Sequence, residues 1–101
     1  EGERLLKHVR PDDFVVTMAI GGKMLDSVEL SQQIETWGVQ GKSHLVFVIG
    51  GSLGLSDAVL QRGDYALIFS KLTFPHQLMR MILLEQIYRS YRIMNHEPYH
   101  K

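Results

Sequence analysis

Short apolar segments alternate with amphipathic segments along this chain, and the alternation predicts the order of its elements. Three runs, 14–20, 45–49 and 65–69, are rich in β-branched and aromatic residues and have the length of buried strands. Segments with helical spacing precede, separate and follow these runs. The order is typical of an α/β fold, in which a parallel sheet is flanked by helices. We find no repeat and no linker, so residues 1–101 are expected to form a single domain.

The helix predicted between the first two strands has a start signal and one buried face. Asp26 and Glu29 have the spacing of a capping box. Leu30, Ile34 and Trp37 then recur at spacings of four and three, which predicts one apolar stripe facing the sheet.

Glycines are expected to end two of these elements. Gly21 and Gly22 directly follow the first apolar run, so that strand is predicted to stop at residue 20. Gly38 and Gly41 are predicted to close the helix that follows.

The C-terminal half contains a short helix and a long one. Ser56 is predicted to cap the short helix, which ends near Arg62. Pro75 suits the first position of a long helix of about five turns. The apolar stripe predicted along that helix consists of Met79, Leu83, Ile87, Tyr91 and Met94.

Composition narrows the range of functions. The longest unbroken apolar run has five residues, far short of the roughly 20 that span a bilayer, so no membrane segment is expected. The chain has no cysteine, which removes disulfides, thiolate metal sites and thiol nucleophiles. Its first residues lack the pattern of a secretory signal, and we expect a cytoplasmic protein.

Charge is balanced overall but unevenly distributed. Residues 1–70 carry six basic and nine acidic side chains, whereas residues 71–101 carry five basic and two acidic ones. A net charge of zero argues against binding nucleic acid through a general phosphate-neutralising field. The basic end is nevertheless where an anionic partner is expected to meet the chain, unless the clustering is accidental.

A glycine-rich turn follows the second strand, with glycines at positions 50, 51 and 54. Open α/β sheets place ligands outside the carboxyl ends of their strands, and glycine lets a cofactor approach the backbone closely. The spacing is neither G-x-G-x-x-G nor that of a P-loop, so a dinucleotide or triphosphate site is not indicated. A tight turn without a ligand explains the glycines equally well.

The segment that follows the third strand is a second candidate ligand loop. Its backbone groups, with the Ser70 and Thr73 hydroxyls, can read the edge of a purine, while Leu72 and Phe74 supply apolar walls. Considered alone, an ordinary loop with two buried apolar residues is the alternative.

Side chains suited to RNA cluster near the C-terminus. Glu85 and Arg89 form an i,i+4 pair, and the arginine can contact phosphate instead of forming a solvated ion pair. Tyr99, His100 and Lys101 offer an aromatic face, a titratable ring and a cation, which suit a splayed nucleotide. A terminus without a role is the alternative.

Metal binding and hydrolysis are not indicated. His96 and His100 are four residues apart, but Pro98 lies between them and disfavours one helical face that presents both rings. No serine, histidine and acid constellation stands out either.

Four strings carry a family resemblance: VTMAIGGKMLDS, VFVIGGSLGL, FSKLTFPHQLMR and YRSYRIMNHEPYHK. Together they resemble the ribosomal RNA large subunit methyltransferase H family of SPOUT enzymes, over essentially all of residues 1–101. The resemblance implies an α/β domain with a C-terminal trefoil knot, a homodimer, and S-adenosylmethionine (S-adenosyl-L-methionine) as cofactor. It also implies that the N-terminal part of the fold, with its first two strands, is missing from this chain.

The resemblance further implies roles for particular residues. The cofactor-binding positions would be Met18, Gly50, Phe69, Ser70, Lys71, Leu72, Thr73 and Phe74. Arg89, Tyr99, His100 and Lys101 would complete the site of the partner subunit, and Tyr99, His100 and Lys101 would bind the substrate. Arg89 would be the catalytic cation, and His100, or a water it holds, the proton acceptor.

The implied reaction is methylation of N3 of pseudouridine 1915 in 23S ribosomal RNA, within the assembled ribosome. Two alternatives stay open. One is a truncated, inactive fragment that binds the cofactor or the ribosome. The other is a doubly wound oxidoreductase that binds a nucleotide, which the absence of G-x-G-x-x-G disfavours.

Overall fold

A computed structural model describes residues 2–50 and 55–100 of the chain. Within these residues the three strands form one parallel sheet in the order β2-β1-β3. The α/β class, with a parallel sheet and flanking helices, is therefore confirmed, and the trefoil knot stays a prediction. The elements are α1 (Gly2–Lys7), β1 (Phe14–Met24), α2 (Ser27–Val39), β2 (Leu45–Ile49), α3 (Asp57–Arg62), β3 (Tyr65–Ile68) and α4 (His76–Met94).

The sheet has a buried cluster on each face, because neighbouring residues of a strand point to opposite sides. Val16 of β1 packs with residues of α2, whereas Val15 packs with residues of β2 and α3. Helices α2 and α4 contact each other, and α1 contacts α3. One cluster consists of Val16, Leu30, Ile34, Trp37 and Leu67, and the other of Val15, Val48 and Val59.

The predicted start and buried face of α2 are confirmed. The Asp26 carboxylate accepts a hydrogen bond from the Glu29 backbone at 2.7 Å, and the Glu29 side chain accepts one from the Asp26 backbone at 2.9 Å. Leu30, Ile34 and Trp37 are all buried. The helix therefore has its first turn satisfied locally and its apolar stripe against the sheet.

Strand β1 is longer than predicted, and the expectation that it stops at residue 20 is wrong. Met18 lies opposite Leu67 of β3, and after an excursion of the chain Lys23 lies opposite the same residue. The strand ends only at Met24. Between these two pairings Ile20 is 98% exposed, so the intervening residues leave the sheet and return to it.

The glycine pair shapes this excursion instead of ending the strand. Gly21 has φ +86°, a left-handed conformation that glycine adopts without a steric penalty. A Cβ atom on Gly22 would lie 2.8 Å from backbone atoms of both Ala66 and Leu67. Gly22 therefore permits the close approach of two backbones where pairing resumes.

The ends of α2 and α4 differ slightly from prediction. Gly38 lies inside α2, while Gly41, beyond its end, has φ +86° as expected of a closing residue. Pro75 precedes α4, which begins one residue later at His76. In the described part of the chain, no helix is long and apolar enough to cross a membrane.

The predicted stripe of α4 is only partly buried. Leu83 is 4% exposed, but Tyr91 is 47% exposed. Its neighbour Ser90 is buried instead, with its hydroxyl donating to the Gln86 carbonyl at 2.8 Å. Because the Ser90 side chain is small and its hydroxyl is hydrogen-bonded within the helix, α4 can be buried at this position without leaving a polar group unpaired.

A network that we call the amino-end network (Arg10, Asp13, Arg62 and Asp64) joins the amino ends of the strands. Arg62 donates to the carbonyls of Arg10 at 3.0 Å and Asp13 at 2.7 Å, and to the Asp64 carboxylate at 3.0 Å. That carboxylate also accepts a hydrogen bond from the Val15 backbone at 2.8 Å. The start of β1 is thereby tied to the start of β3.

Candidate functional site

Three predicted cofactor positions lie at one edge of the sheet. Met18 of β1 is in register with Ile49 of β2 and with Leu67 of β3. Gly50 directly follows β2, and Phe69 directly follows β3. Because all three strands are parallel, Gly50 and Phe69 follow carboxyl ends on the same side of the sheet, where α/β folds bind ligands. Met18 lies between them, at the point where the pairing of β1 with β3 is interrupted. Their role in binding a cofactor stays a prediction.

A histidine that sequence reasoning did not select joins the two predicted loops. Nδ1 of His76, the first residue of α4, lies 2.8 Å from the carbonyl oxygen of Gly50. A carbonyl only accepts, so Nδ1 must carry the hydrogen. The remaining members of the glycine-rich turn, residues 51–54, lie outside the described residues.

The loop after β3 has one anchored end and an exposed middle. Phe69 packs against the buried cluster around Val16. The Ser70 hydroxyl accepts a hydrogen bond from the Leu72 backbone at 3.0 Å, which fixes a turn. Leu72, predicted as an apolar wall, is 72% exposed. Lys71 and Thr73 are also exposed, while Phe74 is half-buried.

A cavity of about 290 Å³ lies beside Phe69, the first residue of this loop. Its volume is near the lower limit of pockets that hold small ligands. At the wall of the cavity, the Ser27 hydroxyl donates a hydrogen bond to the Gln86 side chain at 2.6 Å. The lining therefore combines polar and apolar groups. This mixture fits an adenine ring, which needs apolar faces and a polar edge. The cavity is lined by Leu25, Asp26, Ser27, Leu30, Leu67, Phe69, Ile82 and Gln86.

Most of this lining was missed from the sequence. Ser27 follows the end of β1 and so offered the same signal as Gly50, but the mistaken end of that strand hid it. Ile82 and Gln86 come from the middle of α4, and no motif marks them. A larger groove of about 530 Å³, between α2, β2 and α4, includes none of the predicted site residues.

The predicted C-terminal residues form what we call the tail cluster (Glu85, Arg89, Tyr99 and His100). Arg89 contacts both carboxylate oxygens of Glu85, at 2.8 and 3.3 Å. The Tyr99 hydroxyl donates to the same carboxylate at 2.9 Å, and the guanidinium lies 4.8 Å from the centre of the Tyr99 ring. Arg89 also reaches Nδ1 of His100 at 2.9 Å. Lys101 lies outside the described residues.

Mutual hydrogen bonds set the charges in the tail cluster. The bond from Arg89 holds the pKa of Glu85 below its ordinary value, and the same bond raises the pKa of Arg89. Donation to Glu85 raises the pKa of the Tyr99 phenol. At neutral pH the cluster therefore contains a carboxylate, a guanidinium cation and a protonated phenol.

The geometry also fixes the tautomer of His100. A guanidinium group only donates hydrogen bonds, so Nδ1 accepts from Arg89 and a neutral ring carries its hydrogen on Nε2. In this arrangement the ring offers a donor to a ligand. The role of His100 as proton acceptor stays a prediction, and it requires that Nδ1 be released from Arg89.

The predicted residues thus fall into two separate groups. Arg89 lies thirteen residues after His76 on the same helix, which places it about 20 Å along the axis. Within one chain Arg89 therefore lies far from the contact between His76 and Gly50. Glu85 nevertheless accepts a hydrogen bond from Gln86 at 2.8 Å, so one side of the tail cluster adjoins the cavity that Gln86 lines. No group of three or more potential metal-ligating side chains occurs in the described ranges.

Comparison with known proteins identifies the family. The model of a family described as predicted SPOUT methyltransferase matches residues 1–100. The chain belongs to this SPOUT family. The resemblance inferred from the four motifs is thereby confirmed.

Similar SPOUT proteins named ribosomal RNA large subunit methyltransferase H occur in several bacteria. The protein of Bifidobacterium animalis subsp. lactis is 62% identical over 101 residues, which is 100% of this chain and 64% of the relative. The proteins of Bifidobacterium adolescentis and Enterococcus faecalis are 60% and 57% identical over the same shares. The chain therefore spans about 64% of the length of the curated relatives it matches.

Proposed function

We propose that this protein is an S-adenosylmethionine-dependent methyltransferase that modifies N3 of a pseudouridine in large-subunit ribosomal RNA. The observation that carries the proposal is that Gly50 and Phe69, which follow the ends of two parallel strands, lie on either side of Met18 in a chain of the SPOUT family. The names of its relatives support ribosomal RNA as the substrate. We further propose that it acts in the cytoplasm, where ribosomes are found.

The edge of the sheet would hold the cofactor through shape and backbone contacts. When bound, S-adenosylmethionine supplies a methyl group on a positively charged sulfur. The half-buried Phe69 and the buried Leu67 offer apolar surface for an adenine ring, and Ser27 and Gln86 offer hydrogen-bonding groups beside them. The main contribution of these residues is to orient the cofactor.

The tail cluster would prepare the nucleotide. N3 of a uracil-like ring must lose its proton before or as it attacks, so a nearby cation favours the reactive anion. Arg89 is such a cation, and Glu85 fixes the direction of its guanidinium through two hydrogen bonds. Tyr99 and His100 lie beside it and supply an aromatic face and a hydrogen-bond donor.

We propose that a second copy of the chain brings the two halves of the site together. The separation of about 20 Å along α4 between His76 and Arg89 supports assembly between subunits, because it leaves the guanidinium of one chain far from the contact between His76 and Gly50 in that chain. The outer face of α4 supports it as well, since Leu78, Met81, Leu84 and Tyr88 are 45–69% exposed. Apolar surface of this kind is typical of a subunit contact.

The tail cluster is continuous with that exposed face. The Tyr88 ring packs edge-on against the Tyr99 ring with centroids 5.1 Å apart. A partner that covers α4 would therefore lie directly beside the residues proposed to bind RNA. The excess of basic side chains in residues 71–101 supports an anionic ligand at the same place.

The proposal is tested with the intact protein in two measurements. Calorimetric titration with S-adenosylmethionine is expected to show saturable binding. Incubation with undermethylated ribosomes, followed by mass spectrometry of the nucleosides, is expected to show a methylated pseudouridine. Isolated ribosomal RNA, and a control ribosome already methylated at that position, are expected to accept far fewer methyl groups than the undermethylated ribosome. Absence of cofactor binding would contradict the proposal.

A second candidate is a protein that binds the cofactor or the ribosome without catalysis. The observation that favours it is that Arg89, the proposed catalytic cation, is already hydrogen-bonded to Glu85 and His100. The same two measurements separate the candidates, because saturable binding without methyl transfer is the result expected of the second.

A further inference from the structure

The two predicted cofactor loops start from strands that are not neighbours. Gly50 follows β2 and the segment 69–75 follows β3, while β1 lies between these strands. Two strand spacings separate their ends, or about 10 Å. A contact between the two loops must therefore pass across β1, which lies between the strands from which they start.

His76 makes such a contact. Its Nδ1 donates to the Gly50 carbonyl at 2.8 Å, across 26 positions of sequence. The residue is the first of α4, so its backbone is fixed by the helix, and the loop 69–75 ends at it. Pro75, just before it, makes no side-chain cap to the helix. The imidazole thus connects the end of one loop to the start of the other.

We infer that His76 is a positioning residue that holds the end of the segment 69–75 against Gly50 at the distance the cofactor requires; this inference rests on the proposed function. A backbone contact that is already in place before a ligand binds lowers the conformational entropy lost on binding. The contribution of His76 therefore falls on cofactor affinity. The tail cluster, about 20 Å along α4, is not involved.

The position of the donor atom allows a sharp set of variants. An asparagine side chain places its amide nitrogen close to where Nδ1 lies, whereas a glutamine side chain places it near Nε2. His76→Ala is expected to weaken binding of S-adenosylmethionine by about three- to ten-fold. His76→Asn should restore most of the affinity and His76→Gln should not. His8→Ala, at an exposed histidine near α1, is the matched control and should bind as the wild type does.

Calorimetric titration of the intact proteins, with melting temperatures recorded beside it, is the first test. In methyl transfer, His76→Ala should raise KM for the cofactor more than it lowers kcat. Equal affinity of His76→Ala and the wild type would overturn the inference, as would equal weakening by the alanine and asparagine variants. If the wild type itself fails to bind, the proposed function is what fails.

A second test needs no cofactor. Long-range ¹H–¹⁵N correlation spectra report which ring nitrogen of a neutral histidine carries hydrogen, and the geometry requires Nδ1 for His76. Spectra that show hydrogen on Nε2 would overturn the contact itself, whether or not the protein is a methyltransferase.

Discussion

Two arginine-centred clusters in this molecule use their hydrogen bonds differently. In the amino-end network Arg62 donates to two backbone carbonyls and to a carboxylate that itself holds a backbone N–H. In the tail cluster the described hydrogen bonds of the Arg89 side chain end on side chains, those of Glu85 and His100. Loss of Arg62 removes the donor to the Asp13 carbonyl, whereas the Arg10 carbonyl keeps its hydrogen bond from the Asp13 backbone. Loss of Arg89 removes no donor to a backbone carbonyl among the described hydrogen bonds. The comparison separates an arginine that stabilises the fold from one that is available to a ligand.

Replacement of Arg89 should give the largest effect on activity. Arg89→Ala is expected to lower turnover by about 100-fold or more, because a cation beside the developing negative charge is lost. Cofactor affinity and melting temperature should change little. Methyl-transfer kinetics, calorimetric titration and thermal unfolding measure the three quantities. Equal loss of turnover and cofactor affinity would refute the catalytic role.

Replacement of Arg62 should give the opposite result. Arg62→Ala is expected to lower the free energy of unfolding by about 2 kcal/mol, since the partly buried carbonyl of Asp13 loses its donor. Urea denaturation measures this change. Arg80→Ala, at an exposed arginine, is the matched control and should stay within about 0.5 kcal/mol of the wild type. If turnover per folded molecule fell as it does for Arg89→Ala, the distinction between the clusters would be lost.

The smallest effect concerns pH, and it sharpens the comparison. The hydrogen bond from Arg89 lowers the pKa of Glu85, so docking of the tail has its full strength above the ordinary carboxyl pKa and is lost as pH falls through the lowered value. The Tyr99 resonances should therefore shift as Glu85 becomes protonated, at pH values below the ordinary pKa of a glutamate side chain. NMR titration measures this.

Asp13 provides the comparison in the other cluster. Its pKa is lowered chiefly by a hydrogen bond from the Arg10 backbone, so its contribution is also lost in acid. A Glu85→Gln variant should remove the change in the Tyr99 resonances in acid. It should leave unchanged the titration of Asp13 in the amino-end network, measured by the same NMR titration. Disappearance of both transitions would show that the clusters are coupled.

Local signals in the sequence predicted most of the fold. The capping box at Asp26 and the stripe that ends at Trp37 lie within one element, and both are confirmed. The failures involve contacts distant in sequence. The sequence predicts that Gly22 ends a strand. The structure shows that a glycine is needed there because the backbone of Leu67, 45 positions away, approaches closely. Ser90 is buried through packing between helices, which periodicity does not report.

The candidate site divides in the same way. Motif resemblance selected Gly50 and Arg89, and the structure places them at the strand ends and in the tail cluster respectively. Motif resemblance did not select His76 or Gln86 as site residues. Each makes a hydrogen bond to a residue distant in sequence, His76 to Gly50 and Gln86 with Ser27, which no local pattern reports. His76 and Arg89 lie apart because α4 is long. The sequence predicted that length but did not indicate how the C-terminal tail packs against the helix.

The excursion in β1 has a consequence for how this edge of the sheet can vary. Pairing stops at Met18 and resumes at Lys23 opposite the same residue, Leu67, so the register of the strand does not depend on how many residues lie between. Insertions or deletions around Ile20 can therefore change the segment that follows Met18 without disturbing the hydrophobic layers on either face of the sheet. Protein engineers have here a place to vary the length of an exposed segment while the scaffold stays intact.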